Sequence, residues 1–565
     1  MKLHKVYFWA TLLLLPDLSQ AMAYEDVDLK DDTLYNPMAY IPPQCYTKTI
    51  GANAELHNPC YTCHQQSTAP NYANDDDMQE IYDLPGIAKQ NRWKNLFSDH
   101  STAINKISND QITTYIKTDN YKNTQNHLLL REALQHLPKG SDINGNGIWD
   151  GYLPDAYFSF DEEGFDKTPE GQDTGWRAFA YYPLNGTFWP TNGSGDDVLI
   201  RLSQIFRENE NAHYDRDVYR LNLAIVQALL QRQNVTINTA DEKKYGVDLN
   251  QNGTLDQAEE VVFKWHRGQL ERNTMSYVGR AKQALSAGQV HLAPGLYPKG
   301  TEFLHSVRYI DQDDEGNVKL AARMKELRYM KKGVWKTYTQ LENATLEELK
   351  EESDFPERLE QFSGNPEIGF QNKRGWVLQG FIEDSKGHLR PQNHEESLFC
   401  MGCHSGLGVT TDSTFAFPRK LLGKPFRNGW YHWDQKGLQN TPELRVTLAD
   451  GRTVYAYSHY LEQNNSGNEF RTNDEVMTKF FDSQGTLKQD MIEKLHTDIT
   501  VLLAPSKNRA MMLNKAYRAL VQQQNFIWGR DATIKPLVNV YQQVPEGQKT
   551  GIKQTIQVKG LVPPS

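Results

Sequence analysis

Two strings of the same make stand out in the 565-residue chain, Cys60-Tyr61-Thr62-Cys63-His64 and Cys400-Met401-Gly402-Cys403-His404. With only 5 cysteines and 16 histidines available, one such string arises by chance roughly 0.001 times. The spacing carries a specific chemistry. Two thiols separated by two residues reach the two vinyl groups of one haem and form thioether bonds, while the adjacent imidazole meets the iron. On that reading Cys60, Cys63, Cys400 and Cys403 attach two haem c groups, and His64 and His404 are the proximal ligands. A thioredoxin-like dithiol would need no His in either copy. A zinc centre drawn from the four thiolates would leave both histidines without a role. The far side of each iron stays open, with His57, His100, His394, His432, His459, Met511 and Met512 as candidates.

On these two motifs, and on an export signal at the start of the chain, the sequence resembles the bacterial di-haem c-type cytochromes. Two haem sites point to one-electron transfer with haem iron as the redox centre. The length of the chain keeps a rival reading, a di-haem peroxidase or oxidase in which one iron is five-coordinate. No further catalytic motif is present, so no catalytic residue is assigned and a carrier is favoured over an enzyme. The motifs stand 340 residues apart, which points to haems in different domains. Cys45 is left over, 15 residues before Cys60; an unpaired cysteine in an oxidising compartment is an intermolecular partner, a reactive thiol, a metal ligand or a buried inert thiol.

Two loops carry oxygen ligands at calcium spacing. Asp142, Asn144, Asn146, Ile148 (through its carbonyl) and Asp150 occupy positions 1, 3, 5, 7 and 9 of an EF-hand-like loop, with Gly147 at the turn. Position 12 is Leu153, so the bidentate carboxylate is missing there. Asp248, Asn250, Asn252, Thr254, Asp256 and Glu259 fill the second loop through position 12. A helix is expected to leave it within 257–285, and one or two calcium ions would brace a loop-rich region.

Lys2 and Lys5, an apolar run from Val6 to Leu15, and Ala21-Met22-Ala23 make a signal peptide over 1–23. No cysteine follows the cleavage site, so a periplasmic chain without a membrane anchor is expected. Helical spacing marks 101–116, 125–137, 217–233, 486–503 and 507–524. Strand patterns and turn residues mark 303–310, 318 onward, 376–382, 388–391 and the hairpin 444–448/453–457. These observations predict a multi-domain, mainly α fold with small antiparallel β-hairpins and long irregular loops. Its divisions are a first haem domain with a calcium loop (24–200), a helical region (201–299), a β-rich region (300–390) and a second haem domain with C-terminal helices (391–565). The mean hydropathy of −0.69 and net charge of −10, with no basic patch, argue against nucleic acid. They favour redox partner proteins of basic character.

Overall fold

The computed structural model describes Leu29 and residues 34–51, 53–137, 140–266, 268–269, 272–421, 429–467 and 469–562. The signal peptide therefore lies outside the described residues. The framework is one antiparallel sheet of 10 strands. Across it run Phe165–Lys167, Asp173–Ala178, Leu199–Arg201, Glu302–Gln312, Val318–Lys332, Trp376–Glu383, Gly369–Gln371 and Ser363–Asn365. Gly195–Asp196 pairs with Glu302–Gln312, and Leu389–Pro391 with Trp376–Glu383.

The sequence pattern predicts a mainly α fold, and the ten-stranded sheet overturns that expectation: helix accounts for 31% and strand for 19%. The reason lies in the central hairpin. Its strand Val318–Lys332 is covered on both faces, and Lys325, Glu326 and Lys332 are buried within it at 0, 2 and 0% exposure. Such a strand does not show a clean alternation of apolar and polar residues. The strands that flank this hairpin are two to eight residues long and come from distant parts of the chain.

Helices close both faces. Arg216–Gln231 is capped by Asp215, whose carboxylate accepts from the amides of Asp217 and Val218, and is buried over most of its circumference. Lys507–Gln523 lies across the hairpin, with the Asn514 amide group bonded both ways to the backbone of Ile310 (2.8 and 3.3 Å). Arg445–Leu448 pairs with Thr453–Tyr455 and with Val558–Val562 in a second, three-stranded sheet. The C-terminal stretch also returns to the N-terminal one through the bridges Thr47–Val540, Ile81–Lys549 and Gln90–Gln543. Met38, Tyr46, Trp93 and Leu96 share a core with Leu398, Leu537, Val540 and Val544.

Candidate functional site

The two Cys-x-x-Cys-His segments, far apart in the chain, line one cavity of about 1440 Å³. Cys60–Thr62 forms a single 3-10 turn, with the amides of Cys63 and His64 both donating to the Cys60 carbonyl (3.2 and 3.0 Å). The second segment ends the helix His394–His404. Its N-terminus is a capping box between Asn393 and Glu396, and Glu396 also takes two bonds from Arg390 (2.8 and 2.9 Å). Four thiols and two imidazoles thus reach one wall system from a rigid turn and a rigid helix end. Cys45 lines the same cavity.

The segments are stitched together through backbone. Asp75 holds His64 Nδ1 with one carboxylate oxygen (3.0 Å) and accepts from the amides of Gln65 and Gly408 with the other (2.8 and 3.2 Å). The Val409 amide donates to the Cys63 carbonyl (3.2 Å), and the Asn71 amide group donates to the carbonyls of Leu407 and Thr410 (2.8 and 3.0 Å). Glycine is required at two of these approaches. A Cβ on Gly408 would stand 1.7 Å from the Gln65 carbonyl oxygen, and one on Gly402 would stand 1.6 Å from that of Tyr40.

The protonation states follow from burial. His404 donates from Nδ1 to the Ser413 carbonyl (2.7 Å), and burial brings its pKa down to about 4. The ring is neutral at pH 7, so with Nδ1 carrying the proton, Nε2 keeps its lone pair. The loop behind it is anchored by a fully buried ion pair, Lys332 Nζ to Asp412 Oδ1 at 2.5 Å, with Asp412 also accepting from the Tyr297 amide (2.9 Å). Burial pushes the thiols of Cys60 and Cys403 up to about 12 and that of Cys63 to about 11. Cys400 and Cys45 are raised as well, also by burial. All five cysteines are free thiols, and in the protonated state they are weak nucleophiles.

The two loops predicted to bind calcium form turns satisfied by their own donors. Asp142 accepts from the amides of Gly145, Asn146 and Gly147, and the side-chain amides of Asn144 and Asn146 donate to Asp150. The Ile148 amide caps Asn146 (2.9 Å). In the second loop Asp248 accepts from Asn252 and Gly253, while Asn252 and Thr254 donate to Asp256. Glu259 lies on the strand Gln257–Val261, not on an exit helix. No group of three or more His, Cys, Asp or Glu side chains among the described residues is arranged to hold a metal ion, so the calcium expectation is corrected. His432, a candidate distal ligand, is instead buried between Asp197 and Asp434. Sequence spacing gives no sign of Asp75, Asp412 or Lys332 at the site. Their roles arise from loops and a strand folded against the motifs.

The chain belongs to a lipoprotein family: the model of a family described as "-like lipoprotein" matches residues 29–497. Among curated proteins it is similar to an "Uncharacterized lipoprotein" of Aquifex aeolicus (strain VF5), 28% identical over 589 residues, covering 92% of this chain and 91% of that protein. No solved structure matches. This membership replaces the resemblance to di-haem c-type cytochromes. The assignments resting on it — haem c, iron-based one-electron transfer, and the peroxidase or oxidase alternative — give way with it. Family membership makes the protein an exported, membrane-associated one, in conflict with the expectation of an unanchored chain. No helix among the described residues is long and apolar enough to cross a membrane.

Proposed function

We propose that this is an exported binding protein of the periplasmic side of the envelope. Its site is the shared cavity, where Cys60, Cys63, His64, Cys400, Cys403 and His404 contact a large, mainly apolar ligand. The observation that carries this reading is the convergence of both Cys-x-x-Cys-His segments on one chamber. Its volume of about 1440 Å³ exceeds the roughly 300–1,000 Å³ of ordinary small-molecule pockets. Protonated thiols are soft and polarizable and pack as small apolar groups, and the neutral His404 offers one acceptor nitrogen. The net charge of −10 further suits encounter with basic partner proteins.

The test is the mass of protein purified from an exporting host, native and denatured, with its alkylatable thiols counted. A molecule retained by the wild type and lost when Cys60, Cys63, Cys400 and Cys403 are all replaced by Ser supports the proposal. Protein of sequence mass with nothing retained under native conditions, and unchanged by those substitutions, overturns it.

A further inference from the structure

The cavity has a second wall that the Cys-x-x-Cys-His segments do not explain. Lys325, Glu326 and Arg328 enter it from the central strand, Glu469 and Arg471 from the loop after the helix Ala456–Asn464, and Arg530 and Asp531 from a loop near the C-terminus. Three guanidiniums and one ammonium face three carboxylates. Two of the guanidiniums share a single carboxylate: Arg328 Nε and Arg530 NH1 both donate to Glu326 Oε2, at 3.0 and 2.8 Å. That same oxygen also accepts from the Gln392 amide group (3.1 Å).

Arg530 is 7% exposed, spends its other terminal nitrogen on the Glu396 carbonyl (2.7 Å), and leaves its buried Nε without a partner. Lys325 donates to the Gly193 carbonyl and Ser194 hydroxyl (2.6 and 2.9 Å), both neutral acceptors. Arg471 reaches Glu469 and Asp531 only at 3.5 and 3.8 Å. Burial raises the carboxyl pKa of Glu469 and of Asp531, which weakens their claim on the guanidiniums. Burial lowers the pKa of the Lys325 amine to about 7, so the cationic balance of the wall rests on its three guanidiniums, and the wall is short of acceptors. It adjoins the thiols: Arg328 acts electrostatically on Cys400, Cys403 and His404.

We infer that this wall is an anion-binding subsite, in which Arg328 and Arg530 receive a carboxylate or phosphate group of the ligand. Guanidiniums suit this task because their planar donors match both anions. The inference rests on the proposed ligand chamber and deepens it: the ligand is an amphiphile with an acidic group, its apolar body against the cysteines.

Two fluorescent probes separate the two ideas in the full-length protein. They are the anionic 8-anilinonaphthalene-1-sulfonate and the uncharged N-phenyl-1-naphthylamine. Arg328→Gln should weaken the anionic dye about tenfold, the range of one charge-assisted hydrogen bond, and leave the uncharged dye within about twofold. Glu326→Gln frees a guanidinium and should tighten the anionic dye about as much, a gain that a poorly folded variant cannot imitate. Unchanged relative affinities of the two dyes in both variants would overturn the subsite while leaving the chamber standing. Binding of neither dye to the wild type would overturn both.

Discussion

His432 makes the stability of this protein fall as pH rises, and the structure gives the size of the effect. The ring is 1% exposed, stacked on Phe160 at 4.5 Å, with Nε2 3.0 Å from Asp197 Oδ2 and Nδ1 3.2 Å from Asp434 Oδ2. Burial opposes its charge, but the carboxylates of Asp434 and Asp197 outweigh burial and hold its pKa up at about 9. Nδ1 also lies 3.2 Å from the Asp434 amide, a bond the charged ring gives up; two carboxylates against one amide favour the cation. Relative to an ordinary value of 6.5, the rise to about 9 at ~1.4 kcal/mol per unit amounts to roughly 3 kcal/mol. The folded state binds the proton more tightly, so this contribution is complete below pH 6.5 and is lost between there and about pH 9. The low carboxyl pKa of Asp197 reports the same contact from its other end and adds nothing further. Urea unfolding followed by tryptophan fluorescence, for wild type and His432→Gln from pH 6 to about 9.5, isolates the term. The wild-type advantage should shrink by roughly 3 kcal/mol across that range. An advantage that stays constant within about 1 kcal/mol would refute the reasoning.

Three further outcomes are expected. Lys332→Met strands the Asp412 carboxylate in the core and should cost about 3–5 kcal/mol in urea unfolding. The double variant Lys332→Met/Asp412→Leu should recover part of that loss in a double-mutant cycle. Gly402→Ala drives a methyl into the Tyr40 carbonyl. It should destabilise by more than about 2 kcal/mol, with amide exchange accelerating first in residues 36–46. Because Asp142, Asp248 and Asp256 are engaged by donors of their own loops, EGTA should leave the melting temperature within about 1 °C; a larger drop restored by added calcium would reopen those loops as ion sites.

Part of this architecture is legible in the sequence and part is not, for identifiable reasons. The strands Glu302–Gln312 and Trp376–Glu383 and the helix Lys507–Gln523 lie where apolar periodicity and turn residues place them. These are long, and their partners or caps are local. The strands Asp173–Ala178 and Leu199–Arg201 are short, and they join the sheet only because Leu199–Arg201 pairs with Glu302–Gln312, some hundred residues later. No window of sequence contains that information. The same holds at the site. The Cys-x-x-Cys-His strings announce themselves, yet their convergence depends on the Asp75 and Asn71 bonds to residues 407–410. The wall around Arg328 has no local signature, because Glu469, Arg471, Arg530 and Asp531 reach it from segments far from the strand Val318–Lys332.

The pairing of the two chain ends imposes an order of events on the protein's making. Cys60 and Cys63 leave the ribosome some 480 residues before Val540, which joins the segment carrying them at Thr47. At about 5–20 residues per second that interval is on the order of half a minute to a minute and a half. Until Val540 docks at Thr47, the first thiol pair stands in an unfinished wall. Tyr517, Arg530, Glu546 and Thr550 complete the lining of the chamber, so whatever it encloses must arrive before they dock or enter through the chamber's opening afterwards.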